Sequence, residues 1–352
     1  MSSGEVCSFV SVERIIADTF IGYGVSTFAA QTSSRLERPQ RTYYGSGQPS
    51  ALSVEVTDGY NYISRVFGNA LRALGRAGTR PKHFEVILRE VSIPDHAFSI
   101  PKYTSAVVQP VLDNFRTLLL DIGSSYPPTH IDVGGTATEC SDYLLRKFLA
   151  RLPELEHLRL NFRSDGNDTK ETDLLKWMAT PVSTVSPSTP GTAFPSPPAH
   201  IEFTKIRQLE IGMVTEEPQI LLDIIKKHRA SLRIISFHKV TLIQTDETKP
   251  RENLWAKFFT QLSKFDLKLN GLKMSFLGQE RKGHQHHRPI TFKDSKKDSS
   301  REWGGTNVES CLKDFVANTV VSGPDEDTAS SNGSDGTDDE DMVVDREFPF
   351  TK

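Results

Sequence analysis

The chain alternates between segments with two different spacings of apolar residues. In one kind they recur every three or four positions, as in "CSDYLLRKFLARLPE" at residues 140–154, which predicts an amphipathic helix. In the other kind apolar and polar residues alternate, which predicts a strand with one buried face. The alternating apolar pairs are Leu158 and Leu160, Leu209 and Ile211, and Ile235 and Phe237.

A helical segment followed by such a strand recurs at least five times. The equivalent residues Leu118, Leu158, Leu209 and Ile235 are separated by 40, 51 and 26 residues. The longest step contains "TPVSTVSPSTPGTAFPSPPAH", whose prolines exclude a helix or a packed strand. Without this insertion the step fits a repeat of about 20–45 residues. The pattern predicts an α/β fold, an irregular leucine-rich-repeat-like solenoid of helix-strand units with a parallel sheet.

The composition divides the chain into three regions. Residues 1–50 have no clear pattern, and 51–320 form the predicted repeat domain. Within that domain, 180–200 is predicted to be a disordered Pro/Ser-rich insertion and 278–306 a long polar loop. Residues 321–352 are predicted to be a disordered acidic tail. Ten acidic and two basic residues lie within 324–352, which gives this segment a net charge of −8. The overall net charge is −3, so the remainder of the chain carries about +5.

Cysteine usage and hydropathy favour an intracellular protein, cytoplasmic or nuclear. Cys7, Cys140 and Cys311 are far apart in sequence, which is typical of neither a disulfide framework nor a metal motif. The start of the chain lacks the features of a signal peptide, and no window of 18 apolar residues predicts a membrane span.

Two stretches carry a resemblance to a known family. "ALRALGRAGTRPKHFEVILREVSIPDHAFSIP" and "FLARLPELEHLRLNF" resemble the irregular leucine-rich repeats of fungal F-box-like proteins, over about residues 60–320. In that family an N-terminal F-box holds the adaptor of a cullin ubiquitin ligase, and the repeats hold the substrate. The resemblance implies the repeat half alone, because no Leu-Pro pair that opens an F-box precedes residue 60. No adaptor-binding residue is therefore assigned.

Motifs for chemistry are weak throughout the sequence. His284, His286 and His287 lack a cysteine or carboxylate at ligand spacing, so a solvated loop is favoured over a metal site. "IDVGGTATEC" has no P-loop lysine and is better explained as a tight turn. Asp121, His130 and Ser141 have no spacing that supports a triad. We expect no catalytic residue, no cofactor and no metal.

The strands offer the best candidate binding surface. If the strand leucines face the core, the alternate residues face the other side of the sheet, which solenoid proteins use for partners. The mixed charges favour a protein ligand over nucleic acid, although a simply solvated face would have the same pattern. These residues are Arg89, Asp121, Arg159, Asn161, Glu210 and His238.

The functional expectation is a non-catalytic protein–protein interaction module. By the resemblance, it would be a substrate-recognition part of an F-box-type ubiquitin ligase, with the ligase adaptor as a second partner. The alternatives are an incomplete or wrongly assembled gene product without independent function, and an α/β enzyme with no recognisable motif.

Overall fold

The computed structural model describes most of the predicted repeat domain. It covers residues 51–88, 92–123, 142–163, 173–182, 200–246, 252–282, 287–293 and 299–322. The predictions for residues 1–50, for most of the Pro/Ser-rich insertion and for nearly all of the acidic tail lie outside the described residues.

The described chain forms helices and strands in alternation up to residue 275. The helices are α1 Ala51–Arg76, α2 Lys102–Leu112, α3 Tyr143–Leu149, α4 Asp173–Ala179, α5 Pro218–His228, α6 Leu254–Leu262 and α7 Val308–Asn318, with a 3-10 helix at Asp95–Phe98. The strands are β1 His83–Val86, β2 Thr117–Gly123, β3 His157–Arg163, β4 Gln208–Glu216, β5 Ile234–Gln244, β6 Gly271–Ser275, β7 Gly278–Arg281, β8 Arg288–Phe292, β9 Ser300–Gly304 and β10 Thr319–Val321. None of the described helices combines the length and the apolar character needed to cross a membrane.

The strands pair in the order in which they occur in the sequence. β1 to β5 are parallel neighbours, and β6 and β7 both pair with β5 in parallel. β8, β9 and β10 add antiparallel pairs at the far end. The predicted α/β class with a mostly parallel sheet is confirmed, while the repeat character stays a prediction.

The core lies between the helices and one face of this sheet. The strand residues predicted to face inward pair directly across it, from Leu118 through Leu158 and Leu209 to Ile235 and Leu272. All five are at most 2% exposed and belong to one apolar cluster with the inner faces of the helices. Burial of each such side chain stabilises the fold by about 1.5–3 kcal/mol. The alternation predicted from the sequence is therefore confirmed.

A buried carboxylate fixes the start of α3. Asp95 is 1% exposed and accepts hydrogen bonds from the backbone N–H groups of Leu144 (3.2 Å) and Leu145 (2.8 Å). Its burial raises the pKa of the Asp95 carboxyl to about 6, although both hydrogen bonds act in the opposite direction. Asp142 and Arg146 form a 2.7 Å ion pair beside it. Asp95 thus supplies a helix cap from a segment about fifty residues earlier in the chain.

The prediction of a long polar loop over 278–306 is wrong. Three strands, β7, β8 and β9, lie in this range. In β8 the alternate residues Ile290 and Phe292 are at most 2% exposed, and the strand pairs antiparallel with β10. The other side of β8 is in contact with solvent, and the charge-rich composition of the segment concealed the alternation in this strand.

The strand pairing is interrupted at one level of the sheet, here called the crease. Met213, Lys239 and Phe276 adopt left-handed backbone angles, with φ of 60°, 54° and 52°. Each directly follows one of the mutually paired residues Gly212, His238 and Ser275. Pairing then resumes between β4 and β5 at Val214, and between β5 and β7 at Thr241. Three aligned left-handed residues interrupt neighbouring strands at the same level, each at a cost of about 1–2 kcal/mol.

Candidate partner-binding sheet face

The residues that alternate with the core leucines form three rows on the opposite side of the sheet, here called the open face. The middle row runs across seven strands in register: Glu85, Leu119, Arg159, Glu210, Ser236, Lys273 and Glu302. The rows on either side of it contain His83, Thr117, His157 and Gln208, and Asp121, Asn161, Gly212, His238 and Ser275. The sequential pairing of the strands thus gathers these polar side chains, which lie far apart in the chain.

An ion pair spans three strands at one end of the middle row. The guanidinium of Arg159 on β3 lies 2.7 Å from the carboxylate of Glu85 on β1. The strand between them contributes Leu119, which is 6% exposed although it belongs to the open face. The exposed fractions of the paired side chains are 24% and 25%, so the pair is partly shielded from water. This geometry holds both charged groups in fixed positions.

The central carboxylate of the row is held by its neighbours. Glu210 lies 2.8 Å from the Nε2 of His157 and accepts a 2.5 Å hydrogen bond from the side-chain amide of Gln208. Burial alone would raise the pKa of Glu210, but the hydrogen bond and charge of His157 outweigh it, and the pKa is lowered. Glu210 therefore presents a negative charge at neutral pH.

A more exposed ion pair lies at the other end of the row. Lys273 and Glu302 are 2.7 Å apart, with side chains 52% and 66% exposed. The hydrogen bond to Glu302 raises the pKa of Lys273. Exposed pairs contribute about 0–1 kcal/mol to stability, so this pair can be altered with little effect on folding.

An aromatic side chain protrudes where the crease meets the open face. Phe276 is 52% exposed, and its ring packs edge-on against the imidazole of His238 at 5.6 Å between ring centroids. The His238 Nδ1 shares a 2.8 Å hydrogen bond with the Ser275 hydroxyl. Burial and the neighbouring Lys239 lower the pKa of His238, so its ring is neutral at pH 7. Phe276 therefore forms an apolar protrusion that is packed against His238 and surrounded by polar groups.

Asp121 does not face a partner as predicted. It is 4% exposed, and its carboxylate accepts hydrogen bonds from the Leu88 backbone N–H (3.1 Å) and from the Asn161 side chain (3.0 Å). The chain after β1 returns over this residue, and the Ile93 N–H donates to the Asp121 carbonyl at 3.1 Å. A carboxylate covered by this segment and satisfied within the fold has a structural role.

Arg159, Asn161, Glu210 and His238 lie on the open face where the sequence pattern placed them. Arg89 lies outside the described residues. Several members of the face were not predicted from the sequence. They are His83, Glu85, His157, Lys273 and Phe276. The alternation in "HFEV" and "GLKMS" contains the signal for Glu85 and Lys273.

Most residues of the motifs considered for chemistry lie outside the described part of the chain. His287 is exposed, whereas His284 and His286 lie outside the described residues, as do His130, Ser141 and the Gly-Gly turn. No group of three or more histidines, cysteines or carboxylates within the described ranges could hold a metal ion. Cys311 is buried, which raises the pKa of its thiol to about 12.

Comparison of the chain with protein-family models, curated proteins and solved structures finds no match in any of the three. The resemblance to F-box-like repeat proteins therefore stays a prediction.

Proposed function

We propose that the chain is a non-catalytic protein-binding module and that its open face holds the partner. The observation that carries this proposal is the middle row, in which charged and neutral side chains cross seven strands in register. The sequential order of β1 to β6 further supports an irregular leucine-rich-repeat-like solenoid, a fold type that uses its sheet surface for partners.

The charges of the row favour a protein partner. Its signs alternate from Glu85 to Arg159, Glu210, Lys273 and Glu302, and each of these groups has an opposite charge or a histidine beside it. Nucleic-acid binding depends on a basic surface that neutralises phosphates, and three carboxylates in one row oppose it. A mixed pattern held in fixed positions suits electrostatic complementarity with a second protein.

The crease supplies an anchor for this interface. Protein interfaces concentrate binding energy in a few aromatic residues surrounded by a polar rim. Phe276, half-exposed against His238, fits the role of anchor, and the ion pair of Lys273 and Glu302 lies within the rim. We therefore place the centre of the partner contact at the crease.

Affinity purification from the cells that express the protein, read by mass spectrometry, tests the proposal. The wild type should retain a stoichiometric protein partner that Phe276→Ala loses, because truncation of an interface anchor costs about 2 kcal/mol or more, about 30-fold in affinity. Tyr62→Ala is the matched control, since Tyr62 is a 46% exposed aromatic on α1, away from the open face.

The two variants separate the outcomes. A partner that Phe276→Ala retains and Tyr62→Ala loses would move the contact to the helical side and contradict the proposal. Recovery of a cullin and its adaptor with the wild type would extend the role to substrate recognition in ubiquitylation. If the chain were instead an enzyme, it would turn over a substrate in activity screens, and Phe276→Ala would leave that turnover unchanged.

A further inference from the structure

A cleft of about 360 Å³ lies between α1, α2 and the 3-10 helix, away from the open face. One wall is a stripe of α1 that contains Arg65, Gly68 and Arg72. Residues three, four and seven positions apart lie on one side of a helix, so both guanidinium groups project from the same side of α1. The opposite wall contains Pro101 and Tyr103, from the start of α2.

Both arginines lack a negative partner among the described residues. Arg65 is exposed and forms no ion pair there. Arg72 donates from Nε to the Gly68 carbonyl at 3.2 Å and from its terminal nitrogen to the Asn69 side chain, which are neutral acceptors. The described residues that line the cleft include no aspartate or glutamate. Two positive charges without a counter-charge among the described residues favour an anion at this place.

The beginning of α2 adds to the positive potential. The first turn of a helix carries backbone N–H groups without intrahelical acceptors and the positive end of the helix dipole. Here the capping residue is Pro101, which provides no side-chain acceptor. Its carbonyl accepts from the Thr104 N–H at 2.9 Å, so the Lys102 and Tyr103 N–H groups are the donors that the first turn offers. The helix is 11 residues long, and its first turn lines the cleft together with the arginines. These donors suit an anion with several oxygens.

We propose that this cleft binds a phosphomonoester, with its phosphate between Arg65, Arg72 and the first turn of α2. Two guanidinium groups and the backbone donors offer more hydrogen bonds than the two oxygens of a carboxylate accept, whereas a phosphate presents three oxygens and up to two charges. The organic part lies against the ring of Tyr103, which is 80% exposed. The volume suits a small ligand or one modified side chain. This proposal is independent of the role of the open face.

Calorimetric titration of the full chain with phenyl phosphate at constant ionic strength tests the site. We expect saturable one-to-one binding that Arg65→Gln and Arg72→Gln each weaken by at least about tenfold, since each removes a charged hydrogen-bond donor. Arg76→Gln is the matched control, because Arg76 is exposed on the same helix and does not line the cleft. It should bind as the wild type does.

A variant that fills the cleft tests its location without removing a charge. A β-carbon at Gly68 meets nothing within 4 Å, so Gly68→Leu places a side chain in the cleft without a clash at its base. We expect it to melt at least as high as the wild type and to lose phenyl phosphate binding. Wild-type affinity in this variant, or an equal loss in Arg76→Gln, would overturn the proposal.

Further ligands identify the source of the phosphate. Phenol should not bind, and inorganic phosphate should bind more weakly than phenyl phosphate, because it lacks the contact with Tyr103. Equal affinity for phosphate and phenyl phosphate would overturn the role of Tyr103. A phosphotyrosine peptide that binds more tightly than phenyl phosphate identifies a modified protein as the source, whereas weaker binding identifies a free small phosphate. No saturation by phenyl phosphate at millimolar concentration would refute the site.

Discussion

Replacement of the buried carboxylate Asp95 by asparagine should change the pH dependence of stability. The asparagine side chain has nearly the same shape and keeps one oxygen that can accept the hydrogen bond from Leu145, but it cannot ionise. In the wild type, burial raises the pKa of the Asp95 carboxyl from 3.8 to about 6. The folded state therefore binds the Asp95 proton more tightly than the unfolded state does.

The sign and size of the effect follow from this difference in pKa. Stability from a carboxyl whose pKa is raised on folding is greatest below the unfolded pKa, and it is lost as the pH rises through the folded pKa. A tenfold difference in proton affinity between the folded and unfolded states corresponds to about 1.4 kcal/mol. Between about pH 4.5 and pH 7, the free energy of unfolding of the wild type should fall by about 2 kcal/mol relative to Asp95→Asn.

Urea unfolding at a series of pH values, followed by tryptophan fluorescence, measures this difference. Other titrating groups are shared by both proteins, so their contributions largely cancel in the comparison. Asp266→Asn is the control, because Asp266 is exposed and the same change of side chain is made there outside the core. The reasoning would be refuted if the difference in the free energy of unfolding between the wild type and Asp95→Asn were constant with pH. It would also be refuted if the wild type became more stable relative to the variant as the pH rises.

Three further predictions concern packing and reactivity. Gly68→Ala should raise the free energy of unfolding by about 0.5–1 kcal/mol. Gly75→Ala should lower it by about 1–3 kcal/mol, because the new β-carbon would lie 2.3 Å from a carbonyl oxygen of α2. Urea unfolding of both variants tests the opposite signs. Cys311 should stay unalkylated by iodoacetamide until the protein unfolds, and native labelling detected by peptide mapping would contradict its burial. A double-mutant cycle on Glu85 and Arg159 should give a coupling of about 0.5–1 kcal/mol that falls in high salt, and zero coupling would contradict a fixed pair.

The sequence was sufficient for the elements that depend on local periodicity. Leu158 and Leu160 alternate with polar residues, and in the structure they are fully buried on the helical side of β3. Arg159 and Asn161 were placed on the other side by the same two-residue period. The tendency of consecutive strands to lie side by side then accounts for a sheet whose order follows the sequence.

The features that the sequence did not predict depend on contacts between distant segments. Asp121 has the alternation of an exposed residue, but the chain near Leu88 covers it. The crease depends on left-handed angles at Met213, Lys239 and Phe276, residue types that carry no local signal for that conformation. The phosphate cleft likewise arises only where α1 and α2 pack together, so a periodicity analysis could not find it.

The dissociation constant of the captured partner, measured for two charge-swapped variants, tests the central claim most directly. Lys273→Glu with Glu302→Lys reverses the charges on the open face and keeps their attraction. Glu309→Lys with Lys313→Glu does the same on α7. We expect the first variant to bind at least about tenfold more weakly than the wild type, and the second to bind equally well. Unchanged binding by the first variant, or an equal loss in both, would contradict recognition through the open face.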